Sequence, residues 1–134
     1  MRVYLVRHGQ AEPGEPDELR RLTERGREQA RLIALHLEAE EARPDAVVSS
    51  PLLRARETAE EIGRPFGITA QVDERLAPGA TPEDLLAAVA GRGETVVAIG
   101  HEPDCARAAA ELGGGEERPF AAGETRLLEL APTS

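Results

Sequence analysis

The chain has 134 residues, 40% hydrophobic and 31% charged, which is the size and balance of one globular domain. Its net charge of -9 argues against a nucleic-acid or anionic-membrane surface, since both want a basic face. Cys105 is the one cysteine, so no intrachain disulfide can form, which suits a reducing, cytoplasmic compartment. The opening residues read as a strand rather than a leader, and no apolar run approaches the roughly 18 residues of a membrane helix. Only 2% of the residues are aromatic, so the core must be built from Leu, Val, Ile and Ala. All 16 basic residues are arginine, which reads as a GC-rich genome; thermostability does not follow from it. Residues 1–134 are expected to form one domain, with no repeat or linker, and nothing in the pattern argues an oligomeric state.

The first predicted element is the strand Val3–Val6, which delivers Arg7 and His8 into a turn at Gly9. A polar loop rich in Pro and Gly leads to Arg20-Arg21-Leu22-Thr23. Thr23 is a good helix N-cap, and Ala30, Ile33, Ala34 and Leu37 recur at helical spacing up to about Glu41. His36 lies on this helix without a partner pattern and reads as a surface histidine. A second strand, Ala46–Val48, runs into Ser50-Pro51, read as the cap and first turn of a second helix that carries Arg54 and ends at Gly63. Ile68–Val72 is a third strand, Asp73–Ala80 a loop, and Thr81 caps a third helix to about Ala90. Thr95–Ile99 is the clearest central strand. It ends at Gly100-His101, and Glu102-Pro103-Asp104 opens a fourth helix to about Leu112. Thr125–Leu130 is a final strand at a sheet edge. Strands alternating with helices predict an α/β fold with a mostly parallel sheet covered on both faces.

In such sheets ligands bind at the carboxyl ends of the strands. Three strand ends carry chemistry: Arg7 and His8 after the first, Arg54 one turn into the helix after the second, and His101 after the fourth. A helical side chain leans toward its N-terminus, so Arg54 points back to its strand end. Two arginines and two histidines on one rim suit a tetrahedral dianion, since Arg offers a forked, permanently charged donor set. A histidine among cations is kept partly neutral, and neutral imidazole is the nucleophilic form. It can attack phosphorus and form a transient phospho-enzyme. A metal site built from His8, His101 and nearby acids is disfavoured, because Arg7 beside His8 repels a dication.

These residues resemble the histidine phosphatase superfamily, with its phosphoglycerate-mutase-like fold. Arg7-His8-Gly9 is similar to the family's RHG signature, and Arg20-x-Leu22-Thr23-x-x-Gly26 to its R-x-LT-x-x-G element. Ser50-Pro51-Leu52-Leu53-Arg54-Ala55 with Thr58 is similar to its S-P-x-x-R-A-x-x-T segment, and Gly100-His101 to its second histidine element. Leu76-x-Pro78-Gly79 and Gly100-His101-Glu102-Pro103-Asp104 look most like the small bacterial SixA-type phosphohistidine phosphatases. The resemblance implies a three-layer α/β/α sandwich with one antiparallel strand. It implies His8 as nucleophile, with Arg7, Arg54 and His101 binding the phosphoryl group and no metal or other cofactor. Larger members use an acidic residue as general acid; Glu74 is the nearest candidate here and Asp73 a weaker one, either of which also reads as a solvated loop acid. Arg20 is a candidate extra anion contact or a surface arginine. The expected activity is a phosphatase for a phosphohistidine protein. Its alternatives are a phosphatase for small phosphate monoesters and a non-catalytic phosphoprotein-binding domain.

Overall fold

A computed structural model of the chain describes residues 1–131. The strands are β1 (Arg2–Arg7), β2 (Ala46–Ser49), β3 (Gln71–Val72), β4 (Thr95–Gly100) and β5 (Thr125–Glu129), and the helices are α1 (Glu24–Ala39), α2 (Leu53–Gly63), α3 (Pro82–Val89) and α4 (Asp104–Gly113). They form one five-stranded sheet in the order β3-β2-β4-β1-β5. Every neighbouring pair is parallel except β1 with β5. This is the expected three-layer α/β/α arrangement, with its antiparallel strand at the edge.

The apolar runs of β1 and β4 are buried throughout because helices cover both faces of the sheet. Side chains alternate between those faces. Val3, Leu5, Val48, Val96 and Ala98 pack with Leu85, Ala88 and Val89 of α3 and Cys105, Ala106, Ala108 and Ala109 of α4. Tyr4, Val6, Val47, Val97 and Ile99 pack with Ala30, Ile33 and Leu37 of α1 and Ala55, Ala59 and Ile62 of α2. The Cys105 thiol belongs to the first cluster, and burial pushes its ionisation upward, so it packs as an apolar residue. No helix among the described residues is long and apolar enough to cross a membrane.

Three local expectations shift. The third strand shrinks from residues 68–72 to Gln71–Val72, because Ile68 and Ala70 turn in to pack against the α1/α2 cluster and only the last two residues reach the register of β2. The second helix starts at Leu53, with Leu52 as its cap and no side-chain cap bond. Ser50 does not cap it: its hydroxyl accepts from Leu52 N–H, 3.2 Å, and is spent on His101. Thr23 and Thr81 do cap their helices, Thr81 in a reciprocal capping box with Asp84.

Candidate active site

The sheet order decides which strand ends meet. Because β4 lies between β2 and β1 and all three run parallel, their carboxyl ends form one rim. Arg54, His101 and the Arg7-His8 pair therefore stand side by side. They line one cleft of about 460 Å³ together with Gly9, Gln10, Asp17, Arg20, Pro78 and Glu102.

His8 is half-buried, and its two ring nitrogens have different partners. Nδ1 lies 2.7 Å from the Gly9 carbonyl oxygen. A carbonyl only accepts, so Nδ1 carries the proton and Nε2 keeps the lone pair. Arg54 Nε–H points at that lone pair from 3.4 Å. Burial holds the ring well below its ordinary ionisation range, to about 4; the Gly9 bond opposes this, and Arg54, Arg7 and Arg20 add to it. At neutral pH the cleft thus presents an unprotonated Nε2 beside a guanidinium.

His101 is 4% exposed and its ring centroid is 5.2 Å from that of His8. Its Nε2 is 2.7 Å from the Ser50 hydroxyl. Since that hydroxyl already accepts from Leu52 N–H, the arrangement that satisfies every group has Ser50 donating to Nε2. The remaining ring donor is then His101 Nδ1–H. Burial, followed by His8 and Arg54, lowers the His101 ionisation to about 3, with Asp17 opposing.

The arginines are braced from behind. Arg7 donates to Phe120 O, 3.0 Å, and Phe120 N–H in turn donates to the Glu102 carboxylate. The other Glu102 oxygen takes Ala106 N–H on the first turn of α4. Arg54 leaves the first turn of α2 and donates to both the backbone oxygen and the carboxylate of Asp17, at 2.9 and 3.2 Å. Arg20 reaches the cleft, where its Nη1 donates to the other Asp17 carboxylate oxygen at 3.1 Å.

The remaining motif residues hold the rim together. Gly9 N–H donates to Thr58 Oγ1, 3.1 Å, and Thr58 Oγ1–H donates to Arg54 O, 2.8 Å, so the turn after β1 is tied to α2. Asp104 accepts from Gly79 N–H, 2.8 Å, joining the Pro78-Gly79 turn to the start of α4.

The candidate acids stand apart. Glu74 is exposed, in the one-turn 3-10 helix Glu74–Leu76, and is absent from the cleft wall. Asp73 is buried against Arg75 and Arg92, which hold its carboxyl far below the usual range. Two cleft features were not anticipated from the sequence. One is Asp17 against Arg54 and Arg20; the Asp17–Arg20 spacing of three residues was the available signal. The other is the link from Ser50 to His101, concealed by the motif's ordinary reading as a helix cap.

With this geometry in place, the comparisons with known proteins are decisive on kinship. Residues 3–78 match the family model of the histidine phosphatase superfamily (branch 1). The chain belongs to that superfamily. It is 32% identical over 129 residues to phosphohistidine phosphatase SixA of Escherichia coli (strain K12), covering 90% of this chain and 79% of that protein. The structure of the protein histidine phosphatase SixA complexed with tungstate superposes with a TM-score of 0.80 at 28% identity, over 95% of this chain and 94% of that one. A SixA structure from Agrobacterium tumefaciens gives a TM-score of 0.81 at 30% identity, over 98% and 97% of the two chains. As a member of the histidine phosphatase superfamily, this protein is a hydrolase of the phosphatase type.

Proposed function

We propose that the protein is a phosphohistidine phosphatase that carries its phosphoryl group on His8 Nε2. The observation that carries this reading is the fixed tautomer of His8: Nδ1–H on the Gly9 carbonyl, Nε2 open beside Arg54. Its similarity to SixA supports the substrate class.

The chemistry divides into two displacements. In the first, the Nε2 lone pair attacks phosphorus and the bond from phosphorus to the donor's imidazole nitrogen breaks. The electron pair leaves with the donor imidazole, which departs neutral when its distal nitrogen carries a proton. No strong acid is then required in the cleft, in keeping with Glu74 lying outside it. The phosphorylated His8 ring becomes cationic, and the Gly9 carbonyl stabilises the positive Nδ1–H. In the second, water attacks phosphorus, the P–Nε2 bond breaks, and the ring regains its neutral form while the water proton passes to the released phosphate or solvent. Arg7, Arg54 and the His101 Nδ1–H supply donors to the phosphoryl oxygens in both transition states. The site's charge is local: three arginines, Arg7, Arg20 and Arg54, line the cleft of a protein whose net charge is -9. The phosphohistidine substrate is taken to sit on another protein, and a cytoplasmic location goes with this reading.

The test is a phosphoryl trap. Wild-type protein is mixed with a radiolabelled phosphohistidine phosphotransfer domain, quenched, and assayed for an acid-labile, base-stable label. The label should appear on wild type and vanish in His8→Ala. Turnover that survives His8→Ala overturns the mechanism. Faster relative turnover of p-nitrophenyl phosphate than of the phosphorylated domain assigns small monoesters as the substrate class. Binding of the phosphorylated domain with neither label nor turnover marks a non-catalytic binding module.

A further inference from the structure

Among the described residues, Arg54 is the one guanidinium in contact with the His8 lone pair, and it is already engaged by an anion. Its Nη2 meets Asp17 Oδ2 at 3.2 Å, while its Nη1 donates to the Asp17 backbone oxygen at 2.9 Å. Asp17 Oδ1 meets Arg20 Nη1 at 3.1 Å. The two carboxylate oxygens thus rest on two guanidinium groups, and all three side chains line the cleft. That is the pattern in which two oxygens of a phosphoryl group sit on a pair of arginines. Arg20, and after it Arg54, holds the Asp17 carboxyl below the usual carboxylate range, so it is charged at neutral pH.

A dianion arriving beside His8 meets this carboxylate at close range. Two like charges sharing one small cleft repel strongly, even with two guanidinium groups between them. The geometry offers a way out. The Asp17 side chain is 53% exposed, whereas Arg54 is only 9% exposed. A side-chain rotation therefore carries the carboxylate to solvent while Arg54 stays in place. The backbone oxygen of Asp17 keeps its bond to Arg54 Nη1 throughout, so the loop need not leave.

We propose that Asp17 is an internal competitor for the phosphoryl site, which occupies donors of Arg54 and Arg20 in the empty cleft and yields them to an oxyanion. The proposal rests on the reading of this cleft as a phosphoryl site and adds a residue that sets its affinity. Asp17 weakens the binding of every oxyanion, product phosphate included, and its return to Arg54 helps expel phosphate after hydrolysis. It also selects for charge, because a singly charged anion gains too little from the two arginines to displace it.

The experiment measures tungstate and inorganic phosphate as competitive inhibitors, and their direct binding by calorimetry, in wild type, Asp17→Asn and Asp17→Ala. Asp17→Asn keeps the shape and removes the charge. Both variants should bind tungstate and phosphate at least tenfold more tightly than wild type, with unchanged melting temperature. A residue that merely anchors the loop cannot produce tighter binding on removal. Equal or weaker binding in both variants overturns the proposal and leaves the phosphoryl site standing. Failure of wild type to bind either anion, with Arg54→Ala no different, overturns the site reading and the proposal together.

Discussion

Gly9 and Gly26 meet backbone to backbone. A methyl group placed on Gly9 lies 2.6 Å from the Gly26 carbonyl oxygen, and one placed on Gly26 lies 2.1 Å from the Gln10 carbonyl oxygen. The first turn of α1 is thereby seated directly on the turn that follows β1. Thr23 completes the contact, with its N–H on Gln10 O at 3.0 Å and its hydroxyl on the Gln10 side chain at 2.9 Å. The Leu-Thr-x-x-Gly element is thus a docking device: a cap, then a residue without a side chain where the helix touches the turn that bears His8. Gly26→Ala should cost about 1–3 kcal/mol, the usual range for overpacking. For a chain of this size that is a fall of roughly 4–12 °C in melting temperature. Calorimetry of the variant checks it, and a melting temperature unchanged within error refutes the contact.

Much of this was legible because the sheet's logic is local in sequence. Alternating strand and helix signals fix parallel strands, parallel strands share a carboxyl rim, and Arg7-His8, Arg54 and His101 each sit at the end of an apolar run. What periodicity does not carry is partner choice. Nothing between residues 46 and 100 announces that β4 inserts between β2 and β1, the step that places His101 between the two arginines. Phe120 braces Arg7 across 113 positions through a backbone carbonyl, a contact to which side-chain identity contributes nothing visible. Ser50 departs from its pattern for another reason: Ser-Pro before a helix is a strong cap signal, and here its hydroxyl is taken by a histidine 51 residues away.

Arg54 and Arg7 make separable contributions. Arg54 contacts His8, the proposed nucleophile, while Arg7 is held by Phe120 O. Arg54→Ala and Arg7→Ala should each remove about 2–4 kcal/mol of transition-state stabilisation, by analogy with deleting an oxyanion donor. That is about 30- to 1000-fold in kcat/KM. Arg54→Lys keeps a charge but loses the fork, so it should recover only part of the loss. Steady-state kinetics with the phosphorylated domain decide the matter, and losses under tenfold in both alanine variants refute the role.

The two site histidines carry a pH signature. Burial first, then cationic neighbours, lowers His8 to about 4 and His101 to about 3. Between these values and the ordinary histidine pKa of about 6.5, the unfolded chain binds protons that the folded chain refuses. Stability from these residues is therefore complete above about pH 7 and declines as pH falls from about 6.5, toward 4 for His8 and toward 3 for His101. In an NMR titration the ring signals of His8 and His101 should remain in the neutral form at pH 5. In urea unfolding, His8→Ala should show a shallower loss of stability over that window than wild type. A site histidine titrating near 6.5 contradicts the environment described.

Ser50 fixes the tautomer of His101 and, through it, the donor that we propose meets the phosphoryl group. The hydroxyl receives Leu52 N–H at 3.2 Å and gives its proton to His101 Nε2 at 2.7 Å, which leaves Nδ1–H as the free donor. Ser50→Ala strands a buried acceptor and lets the ring exchange tautomers. One net hydrogen bond is worth about 0.5–1.5 kcal/mol. In kcat/KM this corresponds to a fall of about 2–13-fold. Kinetics alone do not distinguish a lost tautomer from a loosened ring. Nitrogen chemical shifts of the imidazole do: wild type should show His101 protonated at Nδ1, and Ser50→Ala a mixture of both forms. Observation of an Nε2–H tautomer in wild type would reverse the direction of the Ser50 bond and remove His101 Nδ1 as a donor to phosphate.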